Sequence, residues 1–332
     1  MEEKHSIQST VFRAIKDVLP AHLSLVHEVS ELLKISYDSA YRRMRGEKEL
    51  TIDELALICR HFSISADAVL NLPSDKIIFS SRAIGQDGFS LKQWLVSILE
   101  DIRVLHESQE KEIIYAAKDL PIFCFFEFPE LAAFKFYFWQ KSLLPSAQPP
   151  EKLFSFEVDE EFLNLGKKAL FIYNQIPSTE LWNEGTILSI LKQIEYCCIS
   201  GFFQKKEDAI RLCEIIEQYI EHVRTQAELG FRFLYGQDQK GVPGSFKLFH
   251  NEVLLTDNTI FVLAGGKKKT YHTYNIINLL ISTDQGFCEQ IYNSLNTLMQ
   301  KSTLISGTGA KERNSFFNHL TEMIRVLKGK FV

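Results

Sequence analysis

Between Ser36 and Gly46 the chain reads SYDSAYRRMRG, which brings Arg42, Arg43 and Arg45 into one helical turn beside small polar residues. Guanidinium groups at that density suit phosphate oxygens and the O6/N7 edge of guanine, so the chemistry on offer is recognition of DNA. Ser36 can accept from N–H groups that a first helical turn leaves unpaired, and Gly46 can adopt the left-handed conformation just past a helix end. Together they bound a short helix. Within it Tyr37, Ala40, Tyr41 and Met44 fall at i, i+3, i+4 and i+7, a face expected to pack on the preceding helix. The opposite face carries Asp38, Ser39, Arg42 and Arg43. Ser39 and Arg42 are the expected base contacts, and Arg43, Arg45 and Lys48 the expected phosphate contacts; Tyr37 and Asp38, at the helix start, complete the candidate set. The plainer alternative is a solvated face in which the arginines pair with Glu47 and Glu49.

Such a helix needs others to hold it. Leu25, Val29, Leu32 and Leu33 recur at helical spacing just upstream, and Lys34-Ile35 makes a tight connection into Ser36. Downstream, Thr51 and Glu54 have the spacing of a capping box, followed by an apolar stripe of Leu55, Ile58, Cys59 and Phe62. A further helix begins at Ser65. Ile7, Val11, Ile15 and Val18 mark a first helix that stops near Pro20. Five short helices are expected over residues 1–72.

From Leu25 to Leu70 the chain resembles the lambda-repressor-like, XRE-type helix-turn-helix regulators. The resemblance is carried by Val29-Ser30, Ile35-Ser36, Arg45-Gly46, Thr51-Ile52-Asp53-Glu54-Leu55, Ile64-Ser65 and Val69-Leu70, in order and at family spacing. It implies a DNA-binding transcriptional regulator, with residues 37–48 facing double-stranded DNA. Two positions depart from the family pattern. Val26 stands where a glutamine is common, and Lys34 where a glycine is common, so the turn is expected to dispense with a positive φ.

Charge shapes the expectation further. Residues 1–75 hold nine Lys and Arg against twelve Asp and Glu, a net of −3, whereas Tyr41–Lys48 holds four basic residues and one acid. DNA binding would therefore depend on a focused patch and on dimerisation, with half-sites about 10 bp apart. The whole chain, 332 residues with net charge −5, is too long for one small core and is not a generally basic coat protein. Its six cysteines show no C-x-x-C pair and read as reduced thiols of a cytoplasmic protein. No apolar leader or membrane span is evident.

Residues 73–89, with Pro73, Gly85 and Gly88, read as a linker around a short apolar piece at Ile77–Phe79. From Ser90 a helix carries Leu91, Leu95, Ile98, Ile102 and Leu105 at a/d spacing. An ordinary amphipathic helix is favoured over a dimer seam because only two heptads are covered. Nine aromatic residues between Ile122 and Trp139 suggest core, or the lining of a ligand pocket or dimer face. Residues 90–235 are expected to be α-helical, as tetratricopeptide-like hairpins serving dimerisation or an effector: Phe162 to Asn174, a helix capped by Ser178 or Thr179 through Ile199, and Lys206 to Leu229. Residues 236–332 are expected to be α+β, with a small antiparallel meander of strands at Phe246–Phe249, Val253–Thr256, Thr259–Leu263 and Lys268–Thr273, then helices from Tyr274 onward. The fold class expected is thus mainly α.

No nucleotide loop, metal-ligand spacing or nucleophile elbow is found, so no catalysis, metal or cofactor is expected. The function expected is a sequence-specific DNA-binding regulator, a homodimer, with a small-molecule or protein effector on the C-terminal region and no membrane. The alternative is a cytoplasmic interaction scaffold that uses the helical hairpins.

Overall fold

The computed structural model describes residues 7–19, 23–62, 64–70, 77–82, 90–143, 152–253, 255, 257–274 and 276–332. The chain divides into two compact units, Met1–Ile78 and Phe79–Val332. Pro20 and most of the expected 73–89 linker lie outside the described residues.

The first unit contains α1 (Ile7–Val18), α2 (Leu25–Leu33), α3 (Tyr37–Met44), α4 (Ile52–His61) and α5 (Ala66–Leu70). Its core joins Val11, Phe12 and Ile15 to Val26, Val29, Ala40, Ile58 and Val69, so every helix contributes to one apolar centre. The caps follow local chemistry. Ser36 Oγ accepts from the Ser39 N–H at 3.3 Å, and Thr51 and Glu54 make both bonds of a capping box. Past α3, Gly46 takes φ 76, with its N–H donating to the Arg43 carbonyl and that of Glu47 to the Arg42 carbonyl, a Schellman closure.

The second unit is mixed α and β, built on an eight-stranded sheet that takes strands from both sides of the expected 235/236 boundary. Its strands are β1 (Ser80–Arg82), β2 (Lys111–Ala116), β3 (Ser178–Trp182), β4 (Phe246–His250), β5 (Thr259–Ala264), β6 (Lys267–Tyr274), β7 (Asn278–Ser282) and β8 (Thr303–Leu304), in the order β1-β7-β6-β5-β2-β3-β4-β8. β2, β3 and β4 run parallel, and the other pairings are antiparallel. The helices are α6 (Leu91–Glu107), α7 (Pro129–Leu143), α8 (Glu160–Tyr173), α9 (Gly185–Ile199), α10 (Lys206–Leu229), α11 (Gln285–Gln300) and α12 (Ala310–Gly329), with a 3-10 segment at Ile122–Glu127.

Period-2 geometry separates two cores. Ile113 and Tyr115 of β2, with Trp182 of β3, enter the large core made with α6 to α10 and α12; Ile114, Ala116 and Leu181 enter the smaller one beneath α11. Because both faces of β3 are covered, all five of its residues are buried and no polar alternation marks it.

Several expectations are corrected here. Ser178 and Thr179 do not cap a helix; they open β3, and the helix starts at Gly185. β2 was not anticipated. Phe246–His250 pairs with β3 rather than joining a meander, and Val253–Thr256 contributes no strand among its described residues. After Tyr274 the chain makes β7 before helix returns at Gln285. In place of stacked hairpins, two parallel crossovers (β2 to β3, β3 to β4) place α7 to α10 against the sheet. Leu91, Leu95, Ile98, Ile102 and Leu105 are all buried in this chain's own core, which leaves no dimer seam on α6.

Candidate nucleic-acid interface

Lys34 decides the angle at which α3 leaves α2. It adopts φ 52 and ψ 48, left-handed backbone, with the N–H of Lys34 donating to the Glu31 carbonyl and that of Ile35 to the Ser30 carbonyl. The expectation that this turn avoids a positive φ is overturned: the left-handed turn is kept, and a lysine takes it at a steric cost.

Arg43 is also corrected. It does not face outward; only 4 % of it is exposed. Its Nη2 donates to Glu54 Oε1 at 2.7 Å and its Nε to Glu54 Oε2 at 3.2 Å, while Nη1 donates to Ser39 Oγ at 2.7 Å. All of its reach is spent inside the unit, so it is a structural cation and not a phosphate contact. Burial pushes the Glu54 carboxyl upward, but the Arg43 hydrogen bonds and the Thr51 N–H outweigh this and hold its pKa below the ordinary value. Ser39 is half-buried, and its hydroxyl is occupied by Arg43.

The outward face is accordingly rotated from the expected one. Tyr37 and Tyr41, both on the face expected to pack on the preceding helix, are instead 53 % and 50 % exposed. Asp38, Arg42, Arg45 and Lys48 are exposed beside them. Arg42 and Arg45 flank Glu47, at 3.8 Å and 3.1 Å, which screens part of the positive patch. Tyr37 Oη shares a hydrogen bond of 2.7 Å with His27 Nδ1 on α2. Sequence reasoning missed Gln8: its side-chain amide donates to the carbonyls of Arg43 and Lys48, and its Oε1 accepts from the Leu50 N–H. One α1 side chain thus clamps the segment that follows α3. Nothing in a lone glutamine 35 residues away signals that role.

Arg232 and Glu127 each centre a buried polar cluster of the second unit. Arg232 is sandwiched between the rings of Tyr173 and Phe246, its Nη2 bonded to Glu180 Oε1 and its Nε donating to Ser178 Oγ at 3.2 Å; Tyr173 Oη and Trp182 Nε1 also donate to Glu180. Every partner is internal, which marks a structural network. Beside it, burial raises the Glu127 carboxyl to about 7, against the Tyr235 N–H that donates to it, and lowers the His222 imidazole to about 4. The two lie 3.9 Å apart, and between those values both are uncharged, so the contact is not an ion pair.

Among the described residues no group of three or more His, Cys, Asp or Glu side chains could hold a metal ion. None of their helices is long and apolar enough to cross a membrane. Comparison of the chain with protein-family models, with curated proteins and with solved structures found no match.

Proposed function

We propose that the chain is a sequence-specific DNA-binding regulator that works as a homodimer and reads duplex DNA with the exposed face of α3. The observation that carries the reading is the way α3 is held. A left-handed turn sets its entry, Ser36 and Gly46 bound it, and Arg43–Glu54 and Gln8 lock it from behind, while Tyr37, Tyr41, Arg42, Arg45 and Lys48 face solvent. A helix fixed on its inner side and bearing cations and hydrogen-bonding rings on its outer side has what insertion into a major groove requires. The corrected interface is Tyr37, Asp38, Tyr41 and Arg42 toward bases, with Arg45 and Lys48 toward phosphates. Because the patch is small and the unit is acidic overall, two heads on one duplex supply the affinity that a single head lacks.

The test is a titration of the full chain against a genomic fragment library at two salt concentrations, followed by Arg42→Ala and Arg45→Ala on the selected site. Loss of a phosphate contact reduces the slope of log affinity against log salt by about one. Loss of a base contact costs about 1–3 kcal/mol and relaxes one position of the site. Salt-insensitive association, or full binding by Arg42→Ala, would remove the reading.

A further inference from the structure

The large core of the second unit is not filled. A cavity of about 140 Å³ lies between α6, the 3-10 segment, α7 and strands β2, β5, β6 and β7. Its walls are mostly hydrocarbon and ring, including Ile98, Ile102, Ile113, Phe125 and Val262. Polar side chains interrupt that lining, among them Asp101, Gln193, Asn258 and Tyr271, and four of them bear on a ligand: Trp94, Trp139, Lys135 and Asp119.

These four are poorly served by the protein. The indole Nε1 groups of Trp94 and Trp139 are buried and have no hydrogen-bond acceptor, and Asp119 Oδ1 has no donor. Lys135 is 5 % exposed. One proton of its ammonium goes to Gln193 Oε1 at 2.7 Å, and the Nζ lies 4.6 Å and 5.2 Å from the ring centres of Phe125 and Trp139. Among the described residues no carboxylate lies within ion-pair distance of it, and Asp119 attracts it only from further off. An unsatisfied buried donor is costly, and a buried cation with no contacting anion more so, which makes this arrangement unfavourable unless something occupies the cavity.

We propose that this cavity is a binding site for a small apolar monocarboxylate, its acid group taken by Lys135 and the indole N–H groups of Trp94 and Trp139, its hydrocarbon body among the isoleucines and Phe125. The donors outnumber the unpaired acceptor, which selects an anionic head. Asp119 Oδ1 gives preference to an acid carrying a hydroxyl or ammonium beside the carboxylate. Size sets the rest: a cavity of about 150 Å³ accepts benzene, so the body has roughly the bulk of a phenyl or branched-alkyl group. The claim concerns binding alone and does not rest on DNA recognition.

The experiment uses the full chain without DNA and follows tryptophan fluorescence, since two of the three tryptophans line the site. The probes are 4-methylpentanoate, its 2-hydroxy derivative, leucine and the uncharged 4-methylpentanamide. At least one acid is expected to saturate and to bind about tenfold more tightly than the amide, a difference of about 1.4 kcal/mol. Lys135→Met is expected to lose about tenfold in affinity while melting no lower than the parent, because it replaces an unpaired buried cation by a side chain of similar length. Trp94→Phe, which keeps the ring and removes the N–H, is expected to lose about threefold and keeps the test alive should Lys135→Met fail to fold. Absence of saturation by every acid up to about 10 mM, equal binding of acid and amide, or full binding by folded Lys135→Met would each overturn the proposal.

Discussion

Arg43 and Glu54, eleven residues apart, are joined by a forked ion pair, Nη2 to Oε1 at 2.7 Å and Nε to Oε2 at 3.2 Å, that fastens α3 to the start of α4. The same Glu54 closes the α4 capping box through Thr51, so one carboxylate serves a helix start and a helix–helix junction. Arg43 is therefore held inside the unit while the adjacent Arg42 is exposed.

That contrast gives the first prediction. Arg43→Ala is expected to destabilise the first unit by about 2–4 kcal/mol, since it leaves a partly buried carboxylate without its cation. Arg42→Ala is expected to change stability by less than about 0.5 kcal/mol and to act on DNA affinity instead. Denaturant unfolding of both variants beside DNA titration separates the two roles; equal loss of stability would contradict the assignment.

Glu47 stands between Arg42 and Arg45. Glu47→Gln is expected to release both guanidinium groups and raise DNA affinity about two- to fivefold at low salt, the scale of exposed ion pairs. The gain should shrink as salt is added. A drop in affinity would mean that Glu47 orients the arginines and does not compete for them.

Lys34 occupies backbone that costs a side chain about 1–2 kcal/mol, against about 0.5–1 kcal/mol for the extra freedom of glycine when unfolded. Lys34→Gly should therefore raise the stability of the first unit by up to about 1 kcal/mol, and Lys34→Val should lower it. Thermal melting of the two variants checks the sign.

The Glu127 and His222 pair predicts a hidden pH dependence. The Glu127 pKa, raised from 4.5 to about 7, makes the folded state hold a proton that the unfolded chain releases, so its contribution to stability is lost as pH rises through that window. The His222 pKa, lowered from 6.5 to about 4, does the reverse, so its contribution is lost as pH falls from 6.5 toward 4. Between about pH 4.5 and 6.5 the two slopes cancel. Glu127→Gln is expected to leave stability rising with pH across this interval, and His222→Gln to leave it falling. Urea unfolding of the second unit at several pH values reads the slopes; variants with parallel profiles would refute the pairing.

Arg232 and Glu180 form a buried ion pair in the second unit, closed by Tyr173, Trp182 and Ser178. Arg232→Met is expected to cost about 3–5 kcal/mol, because Glu180 is left charged in the core. Glu180→Gln in the same chain should recover part of that loss, which paired unfolding curves would measure.

What the residues settle unaided is whatever is decided within a turn or two of chain. The Ser36 cap, the Gly46 closure and the Thr51–Glu54 box that starts α4 depend on contacts three to five residues long. The buried stripes of α9, α10 and α12 follow from their 3.6-residue period. The tertiary structure decided the rest. In an eight-residue helix Ala40 and Met44 are compatible with either flank turned inward, and the distant carboxylate of Glu54 chose Arg43 over Tyr41. β3 carries Glu180 in the centre of a strand, a choice that becomes intelligible only when Arg232, 52 residues later, arrives beside it. Lys135, in a run of aromatic residues, likewise finds its acceptor in Gln193, 58 residues later. Side-chain partners separated by long loops are matched by packing, and no periodicity along the chain encodes them.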